Sequence, residues 1–238
     1  MIRDATHNLQ DMRRALRSEG MAVHPIKTRA PYLRGYGFAP DVVFDIGVAD
    51  GTPWLYRACP DARFVLVDPQ AHCAEAVRSN GVLRDFHFHH AALGEAPGSA
   101  RLNVPVSDRG KEVNLASLRR RTDRLARSFI DIDSTDVQVR TLDDIALGYP
   151  GRAGLKIDTE GSELEVLRGG KDTLRRCDFV ILELSVSARF EGVGLPSASV
   201  KLLADAGLEL RDVLTVAAGA GKRARPRYMD VLFTRWAA

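Results

Sequence analysis

Short apolar runs that end in aspartate or glycine constrain the fold of this chain more than any other feature. Residues 42–47 read VVFDIG and residues 64–68 read FVLVD, and a segment typical of a helix follows each run. The pattern returns at residues 155–158 and 179–184. Runs this apolar are typical of strands buried on both faces of a parallel sheet, with helices between them. The sequence therefore predicts an α/β domain with a mostly parallel sheet.

Two further strand patterns, at residues 208–216 and 228–235, follow one another with no helix between them. Strands joined without a crossover helix pair antiparallel, so we predict a C-terminal antiparallel hairpin on the sheet. Residues 1–40 combine a helical pattern with an irregular stretch, and they predict an N-terminal helical extension. Residues 41–238 are predicted to form the main domain.

Charge and cysteine content narrow the partners and the compartment. The 34 basic and 31 acidic side chains give a formal net charge of +3, which is too small to indicate a nucleic-acid partner. It suits an acidic small substrate or a phosphorylated carrier. The three cysteines form no CxxC pair, which fits a reducing cytoplasm. Because the chain shows no secretory signal and no apolar run long enough to span a membrane, we expect a cytoplasmic protein.

The loop after the first apolar run carries small residues and two carboxylates. Gly47, Ala49 and Gly51 would let the backbone pass close to a ligand. A dinucleotide loop reads G-x-G-x-x-G, and Ala49 replaces its second glycine. Asp45 and Asp50 would repel a pyrophosphate but suit a ligand with an ammonium and a sulfonium group. The loop therefore favours S-adenosylmethionine (SAM) over a nucleotide cofactor, and a tight turn without a ligand is the alternative.

The next two strand ends carry further candidates for ligand binding. Asp68 could accept hydrogen bonds from both hydroxyls of a ribose, or it could cap the turn that follows. In the segment FHFHHAA (86–92), Ala91 and Ala92 could border an adenine ring. The histidines of this segment suggest a metal site, but strand neighbours on one face need a third, distant ligand. We therefore interpret them as half-exposed strand residues.

A second pair of carboxylates follows the apolar run at residues 155–158. Asp158 could face a methyl group or a substrate hydroxyl, and Glu160 could orient a substrate or take a proton. Alternatively, acids here stabilise the first turn of the next helix, which is the role we expect for Glu163. Glu183 lies inside the next apolar run, where a buried carboxylate requires a partner.

Basic residues cluster at two places, which are Arg119, Arg120 and Arg121, and a late loop with Lys222, Arg223, Arg225 and Arg227. The glycines before Lys222 lack the spacing of a phosphate loop. We interpret both clusters as solvated surface. The alternative is that they hold an acidic group of a substrate.

The segments VVFDIGVADGT, VLVDP and LKIDTEGSELEVLRGG follow one another in the chain, within about residues 42–185. In this order they resemble the FkbM-type methyltransferase family. LKIDTEGSELEVLRGG resembles the family signature, in which lysine-isoleucine-aspartate precedes an acid-glycine pair and an acid-leucine-x-x-leucine helix. VVFDIGVADGT is similar to the SAM loop of the family, and VLVDP to its ribose-binding strand end. AALGEAPGSARL, VQVRTLDDI and FVILEL also match in order. The family commonly has asparagine where this chain has Asp50, which can accept a hydrogen bond but cannot donate one.

The resemblance implies a Rossmann-like class I methyltransferase that uses SAM and usually methylates hydroxyls of sugars, glycans or polyketide-type natural products. We accordingly expect a small-molecule or glycan acceptor, acidic or carrier-linked. The expected cofactor contacts are Asp45, Gly47, Ala49, Asp50, Gly51, Asp68, Ala91 and Ala92. Asp158 and Glu160 form the expected catalytic neighbourhood, and His90 is a further candidate base.

Methyl transfer needs a nucleophile held in line with the methyl group and a base for the hydroxyl proton. The favoured interpretation involves no metal. A divalent ion held by Asp158 and a neighbouring carboxylate is an alternative. Two other functions suit the same fold, namely a nicotinamide-dependent oxidoreductase and a non-catalytic binding module. The imperfect glycine loop argues against the oxidoreductase.

Overall fold

The computed structural model describes residues 2–21, 24–218 and 225–236. Within these ranges the strands are, in chain order, β1 (Val42–Ile46), β2 (Arg63–Asp68), β3 (His87–His90), β4 (Ala92–Leu93), β5 (Gly98–Ser107), β6 (Gly110–Lys111), β7 (Asp131–Arg140), β8 (Ala153–Ile157), β9 (Cys177–Ser185), β10 (Leu208–Ala218) and β11 (Pro226–Arg235). The helices are α1 (Ile2–Ser18), α2 (Ala30–Arg34), α3 (Pro53–Ala58), α4 (Cys73–Ser79), α5 (Leu142–Ala146), α6 (Glu163–Arg168), α7 (Lys171–Leu174) and α8 (Pro196–Asp205).

The main sheet has the strand order β10-β11-β9-β8-β1-β2-β3. Strand β1 pairs in parallel with β2 and β8, and the pairs β2–β3 and β8–β9 are also parallel. Strand β11 runs antiparallel to both β9 and β10. The predicted α/β fold, with a mostly parallel sheet and a C-terminal antiparallel hairpin, is confirmed. The order of the strands reverses beside β1, because β2 and β3 extend to one side and β8 and β9 to the other.

Helices cover both faces of the main sheet. Val42, Phe44 and Ile46 of β1 belong to one core cluster, together with residues of α5, α6, α7 and α8. Val43 belongs to a second cluster, together with residues of α2, α3 and α4. The clusters lie on opposite faces because neighbouring residues of a strand point to opposite sides. Each fully buried side chain of this size contributes about 1.5–3 kcal/mol to stability.

A second sheet, which the sequence did not predict, has the order β4-β7-β5-β6. The segment FHFHHAA (86–92) is divided between the two sheets, since β3 ends at His90 and Ala92 pairs with Val139 of β7 in the second sheet. The residues VQVR of the segment VQVRTLDDI form the end of β7, which begins earlier, at Asp131. Most of the first residues of β7 are exposed and polar, so they lack the apolar alternation that predicts a strand.

Residues 24–40, called the lead-in here, precede β1 and pack on the main sheet. Leu33 of α2 is buried in the second core cluster. Lys27 Nζ donates to Asp212 Oδ1 on β10 at 2.5 Å. The hydroxyls of Tyr32 and Tyr36 donate to Asp212 Oδ2 at 2.6 and 3.0 Å. One carboxylate of the edge strand thus ties three side chains of the lead-in to the sheet.

Two further predictions concern membrane spans and the late basic loop. Across the described ranges, no helix is long and apolar enough to cross a membrane. Lys222 and Arg223 of the predicted basic loop lie outside the described residues. Arg227 is described, and its guanidinium group pairs with Asp123.

Candidate functional site

A cavity of about 330 Å³ opens at the carboxyl ends of β1, β2 and β8. Ligands bind at this edge of open α/β sheets, beside the reversal in strand order. The volume falls in the usual range for ligand sites, about 300–1,000 Å³. The candidate residues that line the cavity are Gly47, Ala49, Asp50, Asp68, Ala91, Ala92, Asp158 and Glu160. Asp45, Gly51 and His90 do not line it.

The loop after β1 is shaped by a close approach of two backbone segments. Gly47, Ala49 and Gly51 all have left-handed backbones, with φ of 75°, 48° and 99°. A Cβ atom at Gly47 would lie 1.8 Å from the carbonyl oxygen of Asp158. Glycine is therefore required at position 47 because the chain after β8 crosses the chain after β1.

Asp45 is fully buried and lies beside the cavity loop instead of facing the cavity. Its Oδ2 accepts a hydrogen bond from the Tyr56 hydroxyl at 2.7 Å. Its Oδ1 lies 3.5 Å from Lys156 Nζ, which also donates to Asp158 Oδ2 at 3.3 Å. Burial raises the pKa of Asp45, and the charge of Lys156 opposes that shift. The half-buried Lys156 thus connects two of the predicted carboxylates.

Asp68 lines the cavity together with small residues. Its Oδ2 accepts the amide N–H of Ala49 at 3.1 Å, and its Oδ1 accepts that of Gln70 at 2.8 Å. A carboxylate oxygen can accept more than one hydrogen bond, so Asp68 retains capacity for a ligand. Ala91 and Ala92 are buried and also line the cavity. Gly47, Ala49, Asp68, Ala91 and Ala92 are called the loop end of the cavity below.

The histidines of β3 lie away from the cavity. His87 Nδ1 and His89 Nε2 contact the Tyr149 hydroxyl at 2.8 and 3.0 Å. His90 is exposed, and its Nε2 lies 2.9 Å from the carbonyl oxygen of Pro69. Among the described residues these histidines belong to no cluster that could hold a metal ion. Their surroundings match the interpretation as strand residues at the sheet edge.

Carboxylates crowd the opposite part of the cavity, which is called the acid end below and consists of Asp158, Glu160, Glu183 and Asp230. Ligand oxygens of Asp158, Glu160 and Glu183 all lie within 4.8 Å of one another. Asp230 of β11 pairs in register with Glu183 of β9, and its Oδ2 accepts the Thr215 hydroxyl at 2.6 Å. Strands β9 and β11 and the turn after β8 therefore bring together acids that are far apart in sequence.

Two buried arginines balance this negative charge. Arg189 is 1% exposed and pairs with Glu183, and its Nη1 lies 3.5 Å from Glu160 Oε2. The Arg121 side chain is 5% exposed, and its Nη2 lies 2.6 Å from the same oxygen. The interpretation of Arg121 as a solvated residue was wrong, because folding buries it against Glu160. Arg120, by contrast, remains exposed beside Glu191.

Sequence reasoning missed Arg189, Asp230, Tyr228 and the role of Lys156 at this site. The only signal was the rule that a buried Glu183 requires a partner. That rule indicated a basic residue without identifying which one. Arg189 lies in the loop after β9, which ends at Ser185, and its guanidinium group lies 4.3 Å from the Tyr228 ring centre.

Crowding and burial change the protonation of the acid end. Burial, together with the charges of Asp158 and Glu160, raises the pKa of Glu183 to about 9, although Arg189 opposes this shift. Burial also raises the pKa of Glu160, against the charges of Arg121 and Arg189. The raised pKa of Glu183 means that this carboxyl takes up a proton more readily than an ordinary glutamate, which reduces the repulsion among the carboxylates.

Glu163 holds the turn between β8 and α6. Its Oε1 accepts the amide N–H groups of Thr159 at 3.0 Å and Gly161 at 2.9 Å. It also accepts the Thr159 hydroxyl at 3.1 Å. The side chain is buried and fixes the chain on which Asp158 and Glu160 lie. This matches the structural role at the start of the helix that the sequence indicated.

Oxygen ligands of the type found at the acid end suit magnesium or calcium. Asp158, Glu160 and Glu183 are the one group among the described residues whose ligand atoms converge closely enough for an ion. Glu160 and Glu183 are, however, already paired with arginine. The arginines supply the positive charge that an ion would otherwise provide, so a site without metal stays our prediction.

Known proteins resemble this chain at the level of sequence. A family model described as the methyltransferase FkbM domain matches residues 45–223, which is more than half of the chain. The 2-O-methyltransferase NoeI of Sinorhizobium fredii is 29% identical over 167 residues, which cover 64% of this chain and 67% of NoeI.

Solved structures resemble the chain more distantly. Magnesium protoporphyrin IX methyltransferase from Synechocystis, solved with bound SAM, is 12% identical with a TM-score of 0.45, over 87% of this chain and 76% of that one. The N-methyltransferase NodS from Bradyrhizobium japonicum is 10% identical with a TM-score of 0.43, over 87% of this chain and 92% of that one. At this level of similarity, neither structure bears on the chemistry of this chain.

Proposed function

The chain belongs to the FkbM methyltransferase family, and we propose that it transfers a methyl group from SAM to a hydroxyl group of a sugar, glycan or natural-product intermediate. The observation that carries this proposal is a single cavity with two different ends. The loop end offers small residues and the Asp68 carboxylate, and the acid end offers Asp158 beside a half-buried lysine. Oxygen as the methylated atom is supported by the similarity to a 2-O-methyltransferase.

The loop end fits the cofactor. Asp68 retains lone pairs for ribose hydroxyls, and Ala91 and Ala92 leave room for a flat ring because they lack larger side chains. Asp50 is exposed at the cavity, where its negative charge favours an ammonium group. A pyrophosphate would meet the same carboxylate unfavourably, which counts against a nicotinamide cofactor.

When bound, SAM supplies a methyl group whose bond to sulfur breaks, leaving the electron pair on sulfur, as the bond to the acceptor oxygen forms. Asp158 is placed to take the proton that the hydroxyl loses. Its Oδ2 is held by Lys156, so Oδ1 is the atom that we expect to receive the proton. Lys156 is itself fixed by the buried Asp45, so two residues of neighbouring strands keep the base in position.

The acceptor is expected to be a small molecule or glycan, acidic or carrier-linked, and the reaction is expected in the cytoplasm. Cys59, Cys73 and Cys177 are buried free thiols. Buried thiols that form no disulfide suit a reducing compartment.

Calorimetric titration of the purified protein with S-adenosylhomocysteine, and separately with NADH, tests the cofactor. We expect S-adenosylhomocysteine to bind, and Asp68→Ala to weaken binding by about tenfold or more, which is about 1.4 kcal/mol. Asp61→Ala is the matched control, since Asp61 is exposed just before the same strand and does not line the cavity. Binding of NADH without S-adenosylhomocysteine would support the oxidoreductase instead, and binding of neither would support the non-catalytic module.

The acceptor atom is tested with SAM that carries a carbon-13 methyl group. We expect NMR spectra of the products from a panel of saccharides, alcohols and amines to show methyl ethers, with and without added magnesium. A product methylated on nitrogen would contradict the proposed hydroxyl acceptor while leaving methyl transfer intact.

A further inference from the structure

One wall of the cavity comes from a segment outside the main sheet. Residues 113–123, called the covering segment here, lie between β6 and β7. The cavity-lining residues of this segment are Val113, Asn114, Ala116, Ser117 and Leu118. Because the segment contains no long helix or strand, its position depends on the contacts it makes with the rest of the protein.

Two of these contacts converge on Glu160. The hydroxyl of Ser117 donates to the carbonyl oxygen of Glu160 at 2.6 Å. Arg121 Nη2 donates to Glu160 Oε2, also at 2.6 Å. The main chain and the side chain of one residue thus hold both the middle and the end of the covering segment.

Glu160 is also held by a second arginine, Arg189. Arg189 reaches Glu160 Oε2 from the end of β9, and its guanidinium group lies 5.1 Å from the ring centre of Phe190. The guanidinium group of Arg121 lies 4.6 Å from the same ring. Charged groups in such buried surroundings interact more strongly than exposed ones, because little water screens them.

The backbone at Glu160 is unusual as well. Its φ is 54°, a left-handed conformation that costs a residue with a side chain roughly 1–2 kcal/mol. Such a conformation persists only where the surroundings impose it. Here it accompanies a carbonyl oxygen bonded to Ser117 and a carboxylate bonded to Arg121.

We propose that Glu160 is a positioning residue that anchors the covering segment over the cavity through Arg121 and Ser117, and that Asp158 alone takes the acceptor proton. The proposal rests on the proposed methyl transfer for the role of Asp158. The anchor itself is a physical contact, and it can be measured without cofactor or acceptor. It assigns different roles to two carboxylates that lie two residues apart in the same motif.

Limited proteolysis with trypsin measures the anchor directly. The covering segment and the turn after it contain the cleavage sites Arg119, Arg120, Arg121, Arg124 and Arg127. We expect Glu160→Gln to raise the cleavage rate in this region by about fivefold or more, because the segment opens more often when its ionic anchor is lost. Glu160→Ala should cleave faster still, since glutamine retains an oxygen that accepts from Arg121.

The matched control is Glu191→Gln. Glu191 pairs with Arg120 of the same arginine run, but both side chains are more than half exposed. Exposed pairs contribute little, so its cleavage rate should stay within about twofold of the unchanged protein. Ser117→Ala is a second variant that leaves every charge in place, and we expect it to accelerate cleavage by about two- to fivefold.

Kinetics with the best acceptor of the saccharide panel then separate anchoring from catalysis. We expect Glu160→Gln to raise KM for the acceptor by about fivefold while kcat changes less than about threefold. A base would behave differently, since its removal lowers kcat by about 10²–10⁴-fold in the Gln and Ala variants alike.

The double variant Glu160→Gln with Arg121→Met should accelerate cleavage by less than the product of the two single effects, since both changes remove the same contact between Glu160 and Arg121. Cleavage of Glu160→Gln at the unchanged rate would overturn the anchor. A hundredfold loss of kcat at unchanged cleavage would overturn the division of roles. If S-adenosylhomocysteine fails to bind, the proposed function is wrong, whereas the proteolysis result still decides the anchor.

Discussion

The two ends of the cavity differ in the groups that form their walls. At the loop end, a left-handed loop, small side chains and one carboxylate bonded to two backbone amides form the wall. At the acid end, carboxylates from β8, β9 and β11 meet two buried arginines. The loop end therefore depends on the shape of the backbone, and the acid end depends on a balance of charges.

This difference has a consequence for how each end tolerates change. Where one backbone segment passes close to another, any added atom causes a steric clash that lowers stability, whatever the charge of the added group. A buried network of charges tolerates changes of shape better than the loss of one partner, because an unpaired buried charge is costly. Added atoms should therefore lower stability at the loop end, whereas removed charges at the acid end should change catalysis and the dependence of stability on pH.

The largest effect is expected for Asp158→Asn. Removing the proposed base should lower kcat by about 10²–10⁴-fold, because the variant lacks the carboxylate that takes the proton of the acceptor hydroxyl. The dissociation constant of S-adenosylhomocysteine should stay within about threefold, since Asp68 and the small residues remain. Steady-state kinetics and calorimetry measure the two quantities.

Asp230→Asn provides the matched control for that experiment. Asp230 belongs to the same end of the cavity, but Thr215 already donates to its carboxylate. It should lose less than about tenfold in kcat. A variant of Asp158 that keeps more than a tenth of kcat would show that another group takes the proton.

The next effect is expected for Gly47→Ala. The added Cβ would lie 1.8 Å from the Asp158 carbonyl oxygen, and the left-handed φ of 75° would be strained as well. We expect a loss of roughly 2–5 kcal/mol in the free energy of unfolding, from a backbone cost of about 1–2 kcal/mol and an overpacking cost of about 1–3 kcal/mol. Denaturant titration measures the loss.

Gly37→Ala separates those two costs. Gly37 has the same φ of 75°, but a Cβ there would meet nothing within 4 Å. It should lose only about 1–2 kcal/mol, the backbone cost by itself. Equal losses in both variants would show that the crossing of the two strand ends contributes nothing.

The last prediction concerns pH. The pKa of Glu183 is raised to about 9 in the folded protein, well above the ordinary glutamate value of 4.5. Between these pH values the folded protein binds a proton that the unfolded chain has lost, so stability falls as pH rises. The slope from this residue reaches at most about 1.4 kcal/mol per pH unit.

Glu183→Gln should flatten the fall in stability between about pH 6 and pH 9, as measured by denaturant titration at several pH values. Glu209→Gln is the control, because Glu209 is exposed on β10 and should leave the slope unchanged. An unchanged slope in Glu183→Gln would mean that Arg189 keeps Glu183 charged, and that the acid end balances its charges without the extra proton.

Much of the fold could be predicted from the sequence because its signals are local. The runs at β1, β2, β8 and β9 are apolar on both faces, and such runs have few solutions other than a covered parallel sheet. The second sheet could not be predicted in the same way. Most of the first residues of β7 are polar and exposed, and they form a strand because β5 supplies hydrogen-bond partners from Gly98 to Val106.

The candidate site, like the fold, was predictable only in its local features. Sequence spacing placed Gly47, Asp68 and Asp158 at strand ends on one edge of the sheet, because strand ends are local features. It placed Asp45 there too, but could not show that a side chain of β1 would point into the protein toward Tyr56 and Lys156. Position along a strand is local, whereas the surroundings of a side chain depend on which strands lie next to it.

By itself, the sequence determined which residues reach the carboxyl edge of the sheet, since strand length and turn residues are properties of short segments. Only the tertiary structure decided that Glu160 meets Arg121 and Arg189, and that Glu183 lies between Arg189 and Asp158. Ion pairs join groups that are distant along the chain, and their strength depends on how far folding excludes water. No short segment carries that information, because burial is a property of the whole fold.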